Sequence, residues 1–390
     1  MKNNHGYHYL VLGAGRQGSA AAYDLVKFGN ANKIILADND LERAQKACSR
    51  VNRLTGSGLV EAQQVDVTDT TQLKNVLLPA DAVLSAVPYY HNQAITRAAI
   101  ETHTHLCDMG GHTETVRAQM QLENEARLAG ISLVPDCGMG PGLVNTLGAY
   151  VIELLDQTRE VFIFDAGLPQ NPIPPWNYAL TFHINGLTNE MDGQAVFIRD
   201  GKICYVDTLS EPEMIDFPPF GLLEADVTSG GTSLAPWTYL GKLERYENKV
   251  MRFPGHYEWL RAFKKLGLFS EQPIRVEKQT IIPRQVYHAL LSPQITFQEV
   301  KDICIMRATG KGMKDQKQAT VTVDLVDRYD STTGFTGMER LTGWHCAIML
   351  SLQAQNKVQP GASPVELAVP ASQFMQELKK RGIDHHVSWN

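Results

Sequence analysis

Short apolar runs alternate with longer amphipathic segments along the first third of the chain. The apolar runs predict strands at 8–12, 33–37, 61–65, 82–86, 104–107 and 131–134. The segments between them predict helices at 16–28, 40–52, 70–78, 92–101 and 113–129. Strands that alternate with helices are joined by crossovers, so this order predicts an α/β fold: a doubly wound parallel sheet of the Rossmann type. We assign this dinucleotide-binding domain to residues 1–142.

The pattern changes after about residue 158, where strands no longer alternate regularly with helices. Residues 161–168 predict a strand, and 195–207 predict a hairpin with Asp200-Gly201 at its turn. Two further β runs, 303–308 and 319–326, flank a polar segment, 310–318, which we interpret as a solvated hairpin tip. This pattern predicts a second, α+β domain with a mixed sheet over residues 143–337.

The last part of the chain returns to helical patterns. Residues 338–355 predict a mostly buried helix, and residues 372–380 predict an amphipathic one. We expect residues 338–390 to form C-terminal helices that return to the Rossmann domain, which would make that domain discontinuous.

A glycine-rich turn follows the first predicted strand at residues 13–18 and has the form G-x-G-x-x-G. The first glycine allows a tight turn, the second lets a pyrophosphate approach the backbone, and the third lets helix and strand pack closely. The N–H groups at the start of the following helix then face the phosphates. The expected cofactor contacts here are Gly13, Gly15, Arg16, Gln17 and Gly18. A glycine turn without a nucleotide remains the alternative.

An acidic residue at the end of the second strand strengthens the nucleotide interpretation. Asp38 lies twenty residues after Gly18, where a carboxylate is expected to bind the adenosine ribose hydroxyls. Its charge would repel a 2′-phosphate, so NAD is favoured over NADP. Arg43 lies nearby and keeps NADP possible.

Three more loops are expected at the carboxyl edge of the parallel sheet, where ligands bind in this fold. The loop after the third strand should flank the adenine, and the loop after the fourth should line the nicotinamide side. The additional cofactor contacts expected in these loops are Asp66, Val67, Ala86, Val87 and Pro88. Residues 108–112, Asp-Met-Gly-Gly-His, follow the fifth strand beside the reactive end of the cofactor. Ordinary loop chemistry is the alternative for each.

The second domain offers polar, glycine-rich segments for a substrate. Residues 228–233, Thr-Ser-Gly-Gly-Thr-Ser, could hold a carboxylate in a backbone nest. Arg252 could bind a carboxylate through two hydrogen bonds, and His256 could titrate near neutral pH. A surface salt bridge for Arg252 and a helix cap for His256 are equally open. Tyr178 could line the apolar part of a substrate.

Composition and charge narrow the possible partners. The chain has a net charge of −6 without a basic block, so nucleic acids and anionic membranes are not expected partners. No apolar run reaches the roughly 20 residues that a membrane span needs. The N-terminal sequence MKNNHGYHY has no apolar h-region, so no signal peptide is expected. The six scattered cysteines indicate reduced thiols in a cytoplasmic protein, and no spacing indicates a metal site.

Six segments taken together resemble a known family. They are LGAGRQG, DMGGH, DCGMGPG, FDAGLP, TSGGTS and KVMRFPGH. The chain resembles the saccharopine dehydrogenase-like family and, within it, the bacterial L-lysine 6-dehydrogenases. The resemblance implies a Rossmann domain interrupted by a mixed α/β substrate and dimerisation domain, and hence a homodimer or higher homo-oligomer. It also implies NAD-dependent oxidation at a C–N bond of an amino acid, here the ε-amine of lysine, which would give 2-aminoadipate 6-semialdehyde.

Two other functions stay open. One is a saccharopine reductase, which condenses the semialdehyde with glutamate and reduces the imine. Fungal saccharopine reductases carry an Asp in a GLDPG turn that resembles residues 138–142, and Gly140 takes its place here. That departure weakens this alternative. The other is a non-catalytic NAD-binding regulator, which the fold alone does not reject.

The reaction that the resemblance implies needs a base, a polarising group and a partner for the substrate carboxylate. Asp108 and His112 are the expected base and polariser, from their position beside the reactive end. Arg252 and residues 229–233 are the expected carboxylate partners. The full set of expected substrate contacts is Tyr89, Gly140, Asn145, Tyr178, Gly230, Gly231, Thr232, Arg252 and His256.

Overall fold

A computed structural model describes residues 6–390, so the first five residues of the N-terminal sequence MKNNHGYHY lie outside the described part. A 3₁₀ turn at Tyr89–His91 follows the fourth strand. The elements up to residue 134 are β1 (Tyr7–Leu12), α1 (Arg16–Phe28), β2 (Ala31–Asp38), α2 (Leu41–Thr55), β3 (Val60–Gln64), α3 (Thr70–Leu77), β4 (Ala82–Ser85), α4 (Asn92–Glu101), β5 (His105–Asp108), α5 (Thr113–Met120), α6 (Glu123–Ala129) and β6 (Ser132–Val134).

The rest of the chain forms a second domain and a C-terminal segment. The second domain contains α7 (Leu143–Leu154), β7 (Gln157–Pro169), α8 (Ile184–Glu190), β8 (Gln194–Arg199), β9 (Lys202–Asp207), β10 (Glu213–Asp216), β11 (Leu222–Val227), α9 (Ala235–Thr238), β12 (Arg245–Arg252), α10 (His256–Lys265), β13 (Ile274–Val276), β14 (Gln279–Ile281), α11 (Pro283–Ile295), β15 (Asp302–Lys314) and β16 (Lys317–Arg328). The C-terminal segment contains α12 (Gly337–Glu339), α13 (His345–Ala354), β17 (Gly361–Ala362), α14 (Val365–Ala368), α15 (Ala371–Lys380) and β18 (His385–Trp389).

The N-terminal domain confirms the predicted doubly wound sheet. All six predicted strands are present, and every pairing is parallel. Within residues 6–390 this sheet has seven strands in the order β17-β6-β5-β4-β1-β2-β3. The seventh strand, β17, was not predicted because two residues carry no periodic signal.

The second domain confirms the predicted mixed sheet. In the described part of the chain it has nine strands, with a central order β10-β11-β12-β7-β15-β16-β18 and the β8–β9 hairpin attached to β12. Strands β7 and β12 are parallel, whereas the other pairs are antiparallel. Helix α7 contacts β7 and β15 of this sheet.

Two predicted boundaries are wrong. Residues 113–129 form two helices because the chain turns at Gln121-Leu122, where Leu122 enters the core. Residues 310–318 are not a long tip: the strands continue to Lys314 and from Lys317, and Asp315-Gln316 forms a two-residue turn with positive φ angles of 48° and 63°. Such turns match the twist of paired strands.

The C-terminal segment divides between the two domains instead of returning wholly to the first. The helix predicted at 338–355 is interrupted by a π-helical segment at Arg340–Trp344, and its second part, α13, contacts β4 and β5. All ten residues of α13 are buried. The chain then leaves this domain, and β18 pairs with β16 of the mixed sheet. The prediction of C-terminal helices therefore missed a strand that completes the second domain.

Candidate functional site

The glycine turn is shaped to leave open space above the start of α1. Gly13 has a φ of +103°, and a side chain there would place its Cβ 2.6 Å from the carbonyl oxygen of Ala86. Gly15 caps α1, and a Cβ at Gly15 would meet no atom within 4 Å. Arg16 is exposed and Gln17 is half-buried at this end of the helix. This arrangement fits a diphosphate, because it would occupy the open space and meet the N–H groups of the helix start.

Asp38 closes the other side of this turn. Its Oδ2 accepts a hydrogen bond from the backbone N–H of Ala14 at 2.9 Å, and its Oδ1 accepts one from Asp40 at 3.0 Å. The Arg43 guanidinium lies 3.4 Å from Oδ1 and is 56% exposed. The carboxylate therefore stands beside the glycine turn, where a ribose is expected, with an exposed cation next to it.

The remaining expected cofactor contacts lie on both sides of the glycine turn, because β3 and β4 flank β1 and β2 in the sheet. Asp66 is exposed after β3, and hydrogen bonds from the backbone and hydroxyl of Thr68 lower the pKa of its carboxyl. Val67 is half-buried beside it. After β4, Ala86 and Val87 are half-buried and Pro88 is exposed.

Asp108 is buried and fully engaged in hydrogen bonds. Its Oδ1 accepts from the backbone N–H groups of Gly110 at 2.7 Å and Asp136 at 3.2 Å, and its Oδ2 accepts from the Gln119 amide at 2.7 Å. Burial nevertheless raises the pKa of this carboxyl. Asp108 thus connects the loop after β5, through Gly110, to the loop after β6, through Asp136. A buried carboxylate with these partners favours a structural role over the predicted role of base.

His112 is exposed at the start of α5 and faces the loop after β4. Its ring is stacked on Tyr89, with centroids 4.8 Å apart and an angle of 7° between the planes. Its Nδ1 lies 3.1 Å from the Thr115 hydroxyl and 3.3 Å from the Thr115 backbone nitrogen, so the ring is held at the start of the helix. The structure thus brings together two of the residues that were expected at the reactive end.

Asp136 is a buried carboxylate that the sequence analysis did not select. It has a φ of +62° and is 3% exposed. Its Oδ2 accepts a hydrogen bond from the hydroxyl of Ser233, which belongs to the second domain. Burial and the nearby charge of Asp108 raise the pKa of Asp136 to about 8. This pair links the carboxyl edge of the parallel sheet to the loop at 228–233.

The 228–233 loop is less open than the predicted carboxylate nest. The Ser229 N–H donates to the carbonyl oxygen of Glu190 at 2.8 Å, and the Ser233 N–H donates to Gly230 at 3.1 Å. Thr232 is buried, with its hydroxyl bonded to Val196. These contacts fix the loop in place, so part of the predicted nest is already occupied.

Asn145 also serves the contact between the domains. Its amide nitrogen donates to the carbonyl oxygen of Thr232 at 2.8 Å, and its oxygen accepts from the N–H of Gly142 at 3.2 Å. Because the side chain is completely buried, the structure gives it a structural role instead of the predicted substrate contact.

Arg252 is the last residue of β12 and is buried, contrary to the surface salt bridge considered for it. Pro254 and Gly255, which has a φ of +92°, end the strand and begin α10. One nitrogen of the Arg252 guanidinium donates to the carbonyl oxygen of Met251, and another lies 3.4 Å from Glu190. Its Nε has no hydrogen-bond partner among the described residues. A buried guanidinium with unused donors is suited to bind a carboxylate.

Glu190, at the end of α8, is a second residue that the sequence analysis missed. Burial raises its pKa to about 7, although the charge of Arg252 opposes that shift. Its side chain is 26% exposed, so it is within reach of solvent. The ring of Tyr178 packs 5.3 Å from the Arg252 guanidinium, and its hydroxyl is unpartnered within residues 6–390.

The prediction that His256 titrates near neutral pH is wrong. The residue is 1% exposed, and burial together with the charge of Arg252 holds its pKa well below the ordinary value. Its ring packs between Tyr178 and Trp259, at centroid distances of 5.0 and 4.6 Å. His256 is therefore a neutral ring in the wall beside Arg252.

Asp165 and Asn248 complete this side of the site. Asn248 donates to Asp165 Oδ1 at 2.8 Å, and a side chain on Gly231 would collide with Asn248. A Cβ at Gly140 would lie 3.5 Å from Asp165 Oδ2. Residue 140 is a glycine and brings no carboxylate to this place. The Asp165 carboxylate, from β7, lies beside it instead.

Three contacts join the two domains at this place: Asp136 meets Ser233, Asn145 meets Thr232, and Gly140 lies against Asp165. The glycine turn and the Tyr89–His112 stack lie on the nucleotide-domain side of this junction, and Arg252 lies on the sheet face that bears Asp165. Four residues here were not predicted from the sequence: Asp136, Asp165, Glu190 and Asn248. Among residues 6–390, no three His, Cys, Asp or Glu side chains converge in an arrangement able to hold a metal ion. No helix in that range is long and apolar enough to cross a membrane.

Comparison with known proteins places both domains in one family. Residues 9–134 match the model of the saccharopine dehydrogenase NADP binding domain, and residues 138–383 match that of the saccharopine dehydrogenase C-terminal domain. The crystal structure of apo saccharopine dehydrogenase (L-Glu forming) from Saccharomyces cerevisiae aligns with a TM-score of 0.79, covering 99% of this chain and 100% of that one, at 20% identity. This likeness concerns the fold.

Two curated relatives are similar in sequence. Saccharopine dehydrogenase [NADP(+), L-glutamate-forming] of S. cerevisiae is 23% identical over 301 residues, which are 73% of this chain and 66%, just under two thirds, of that enzyme. Carboxynorspermidine synthase of Vibrio cholerae is 23% identical over 334 residues, covering 80% of this chain and 79% of that enzyme. With both domains matched in order along one chain that carries a pyridine-nucleotide-binding domain, the protein belongs to the saccharopine dehydrogenase family.

Proposed function

We propose that the protein is an NAD-dependent oxidoreductase that deaminates the ε-carbon of L-lysine. The observation that carries this proposal is the buried Arg252 with an unpartnered Nε, on the sheet face that meets the carboxyl edge of the nucleotide domain. A carboxylate bound there would orient an amino acid toward the reactive end of the cofactor. The membership of a dehydrogenase family supports the same class of chemistry.

The proposed reaction balances without a further reactant. The ε-ammonium of lysine, NAD⁺ and water give an aldehyde carbon, ammonium, NADH and one proton. The C–N bond breaks, and the ε-carbon is oxidised by two electrons as the nicotinamide is reduced. The product is 2-aminoadipate 6-semialdehyde.

Residues of this chain would bind the cofactor and manage protons. The glycine turn at 13–18 and Asp38 would hold the diphosphate and the ribose, and the nicotinamide supplies the hydride acceptor when bound. His112, exposed beside Tyr89, is the proposed base. In the tautomer whose Nδ1–H donates to the Thr115 hydroxyl, Nε2 is free to take the proton of the ammonium. Asp108 holds the loop on which His112 stands through the N–H of Gly110.

NAD is proposed over NADP because of the charge at Asp38. The carboxylate is fixed by two backbone N–H groups, and it would face a 2′-phosphate with like charge. The yeast relative is named as an NADP(+) enzyme, and Arg43 at 3.4 Å offers the cation that a phosphate would need. The proposal is that Asp38 outweighs Arg43.

A second candidate is the glutamate-forming saccharopine dehydrogenase reaction. The name of the yeast relative and the likeness of its fold favour it. It differs from the first candidate in the reductive direction, where glutamate instead of ammonia would be consumed.

A substrate screen tests both candidates. Purified protein is mixed with NAD or NADP and with lysine, saccharopine, ornithine or glutamate, and the absorbance of the reduced cofactor is recorded. Lysine-dependent reduction of NAD with release of ammonia is the expected result. Reduction with saccharopine alone would favour the second candidate. Binding of NADH without turnover of any of the four would indicate a nucleotide-binding regulator.

Two matched variants connect the activity to this site. Arg252→Lys should strongly lower kcat/KM for lysine oxidation by raising the KM for lysine. Arg307→Lys removes a guanidinium from the opposite face of the same sheet, where it pairs with Asp324 at 2.7 Å, and should keep the activity. Equal activity of the two variants would contradict the proposed site.

A further inference from the structure

Two opposite charges share one face of the mixed sheet. Strands β7 and β12 are parallel, and Asp165 is opposite Val250 in their register. Side chains alternate between faces along a strand, so Asn248, Val250 and Arg252 lie on the same face as Asp165. This face meets the turn at 138–142 of the nucleotide domain, since Gly140 lies against Asp165.

The two oxygens of the Asp165 carboxylate have different surroundings. Oδ1 accepts a hydrogen bond from Asn248 at 2.8 Å, which fixes the plane of the carboxylate. Oδ2 accepts none from the part of the chain that the structure describes, and it lies against Gly140, where an added Cβ would stand 3.5 Å from it. A carboxylate held by one oxygen can accept a hydrogen bond through the other.

Arg252 and Asp165 lie on the same face of the sheet but form no salt bridge with each other. Burial raises the pKa of the Asp165 carboxyl, and the hydrogen bond from Asn248 and the charge of Arg252 oppose that shift. No nitrogen of Arg252 lies within 4 Å of this carboxylate in residues 6–390, because its nearest acidic partner is Glu190. A buried carboxylate without a cation is costly, so a ligand that brings a positive charge would be favoured here.

A free α-amino acid carries the two charges that this face lacks, an ammonium and a carboxylate on one carbon. We propose that Asp165 binds the α-ammonium of the substrate while Arg252 binds its α-carboxylate. The site would then select a zwitterionic amino acid over a chain with only a terminal amine and a carboxylate. This inference rests on the proposed function, and it adds the group that recognises the α-amine.

Binding of three analogues separates the two contacts. Lysine, 6-aminohexanoate, which lacks the α-amine, and cadaverine, which lacks the α-carboxylate, are titrated calorimetrically into the protein–NADH complex. Wild type should bind lysine at least about 100-fold more tightly than 6-aminohexanoate, as expected for a charged hydrogen bond in a buried site. Asp165→Asn should weaken lysine binding by a similar factor and change 6-aminohexanoate binding less than about 3-fold.

Asp324→Asn is the matched control, because it removes a carboxylate from the opposite face of the same sheet. It should bind all three ligands like wild type. The proposal is overturned if wild type binds lysine and 6-aminohexanoate alike, if it binds neither, or if Asp165→Asn weakens both equally. Selective lysine binding that depends on Asp165, but without NAD reduction, would support this inference and contradict the proposed function.

Discussion

Among residues 6–390, two arginines are buried beside carboxylates, and they use their hydrogen-bond donors differently. Arg381, directly after α15, donates from Nε to Asp24 at 2.7 Å and from Nη1 to the backbone oxygen and side chain of Glu377 at 2.9 and 3.0 Å. Arg252 has one contact of 3.4 Å to Glu190, one backbone contact and an Nε without a partner among residues 6–390. The first cation is satisfied and the second is not.

The difference separates a structural ion pair from a binding site. Asp24 lies on α1, so the Arg381 pair fastens the C-terminal helix to the helix that begins at the glycine turn. Unused donors in the interior cost stability, and they are retained where a ligand satisfies them. The comparison predicts that damage to Arg381 affects folding and that damage to Arg252 affects substrate binding.

The largest expected effect on stability follows from breaking the Arg381–Asp24 ion pair. Arg381→Met leaves Asp24 buried without its cation and should lower the free energy of unfolding by about 3–5 kcal/mol. The double variant Asp24→Asn/Arg381→Met should recover more than half of the loss, since no charge is then stranded. Urea unfolding followed by circular dichroism measures both. A loss of less than about 1 kcal/mol in the single variant would remove the distinction between the two arginines.

A substitution at Arg252, whose contact with Glu190 is long, should leave the free energy of unfolding nearly unchanged. Arg252→Lys keeps the charge but loses the planar pair of donors, so the KM for the amino acid should rise roughly 30-fold to 1,000-fold. The affinity for NADH should stay unchanged, because Arg252 lies in the second domain. Steady-state kinetics and fluorescence titration with NADH test this. An unchanged KM together with a large loss of stability would show that Arg252 fastens the fold, as Arg381 does.

The nucleotide half of the molecule could be predicted from the sequence because its determinants are local. The glycine turn at 13–18, the strand before it and the helix after it are contiguous, and the turn conformation of Gly13 needs no distant residue. Asp38 follows at a fixed spacing because one helix and one strand separate it from the turn. Six strands of the parallel sheet were found for the same reason.

The substrate half could be predicted only in part because distant segments assemble it. Arg252 was selected for its charge, yet its strand β12 is enclosed by β11 on one side and on the other by β7, about 85 residues earlier in the chain. Asp165 lies in an apolar strand and carried no signal of its own. Asp136 and Ser233 meet across the domain contact, which no local pattern encodes. Asn145 and His256 were selected for polar chemistry that burial removes.

Asp136 differs from Asp24 and Glu190 because its carboxyl is buried without an arginine beside it among residues 6–390. Its folded pKa is about 8, far above that of an unfolded aspartate, because burial and Asp108 disfavour its charge. Between roughly pH 4 and 8 the folded state holds a proton that the unfolded state has lost, so this group makes stability fall as pH rises. Asp136→Asn should remove that slope, which is at most about 1.4 kcal/mol per pH unit. Asparagine also tolerates the positive φ.

Urea unfolding of wild type and Asp136→Asn at pH 5.5, 6.5 and 7.5 measures this effect. The variant should gain stability relative to wild type at each step. If the difference in free energy of unfolding between variant and wild type stays constant across the three pH values, Asp136 is ionised in the folded protein. Its buried charge would then need a cationic partner, such as Arg381 is for Asp24.

The smallest expected effect concerns the pair of buried Asp38 and exposed Arg43. Arg43 is 56% exposed at 3.4 Å from Asp38, so it can turn toward a ligand at little cost. Asp38→Ser removes the charge that opposes a 2′-phosphate and keeps an acceptor for the Ala14 N–H. The ratio of kcat/KM for NADP to that for NAD should rise about tenfold, which corresponds to about 1.4 kcal/mol. Adding Arg43→Ala to this variant should abolish the gain, because the phosphate then loses its cation. If the NADP-to-NAD ratio rises equally in the double variant, Asp38 acts by repulsion alone. Arg43 then contributes nothing to the choice of cofactor.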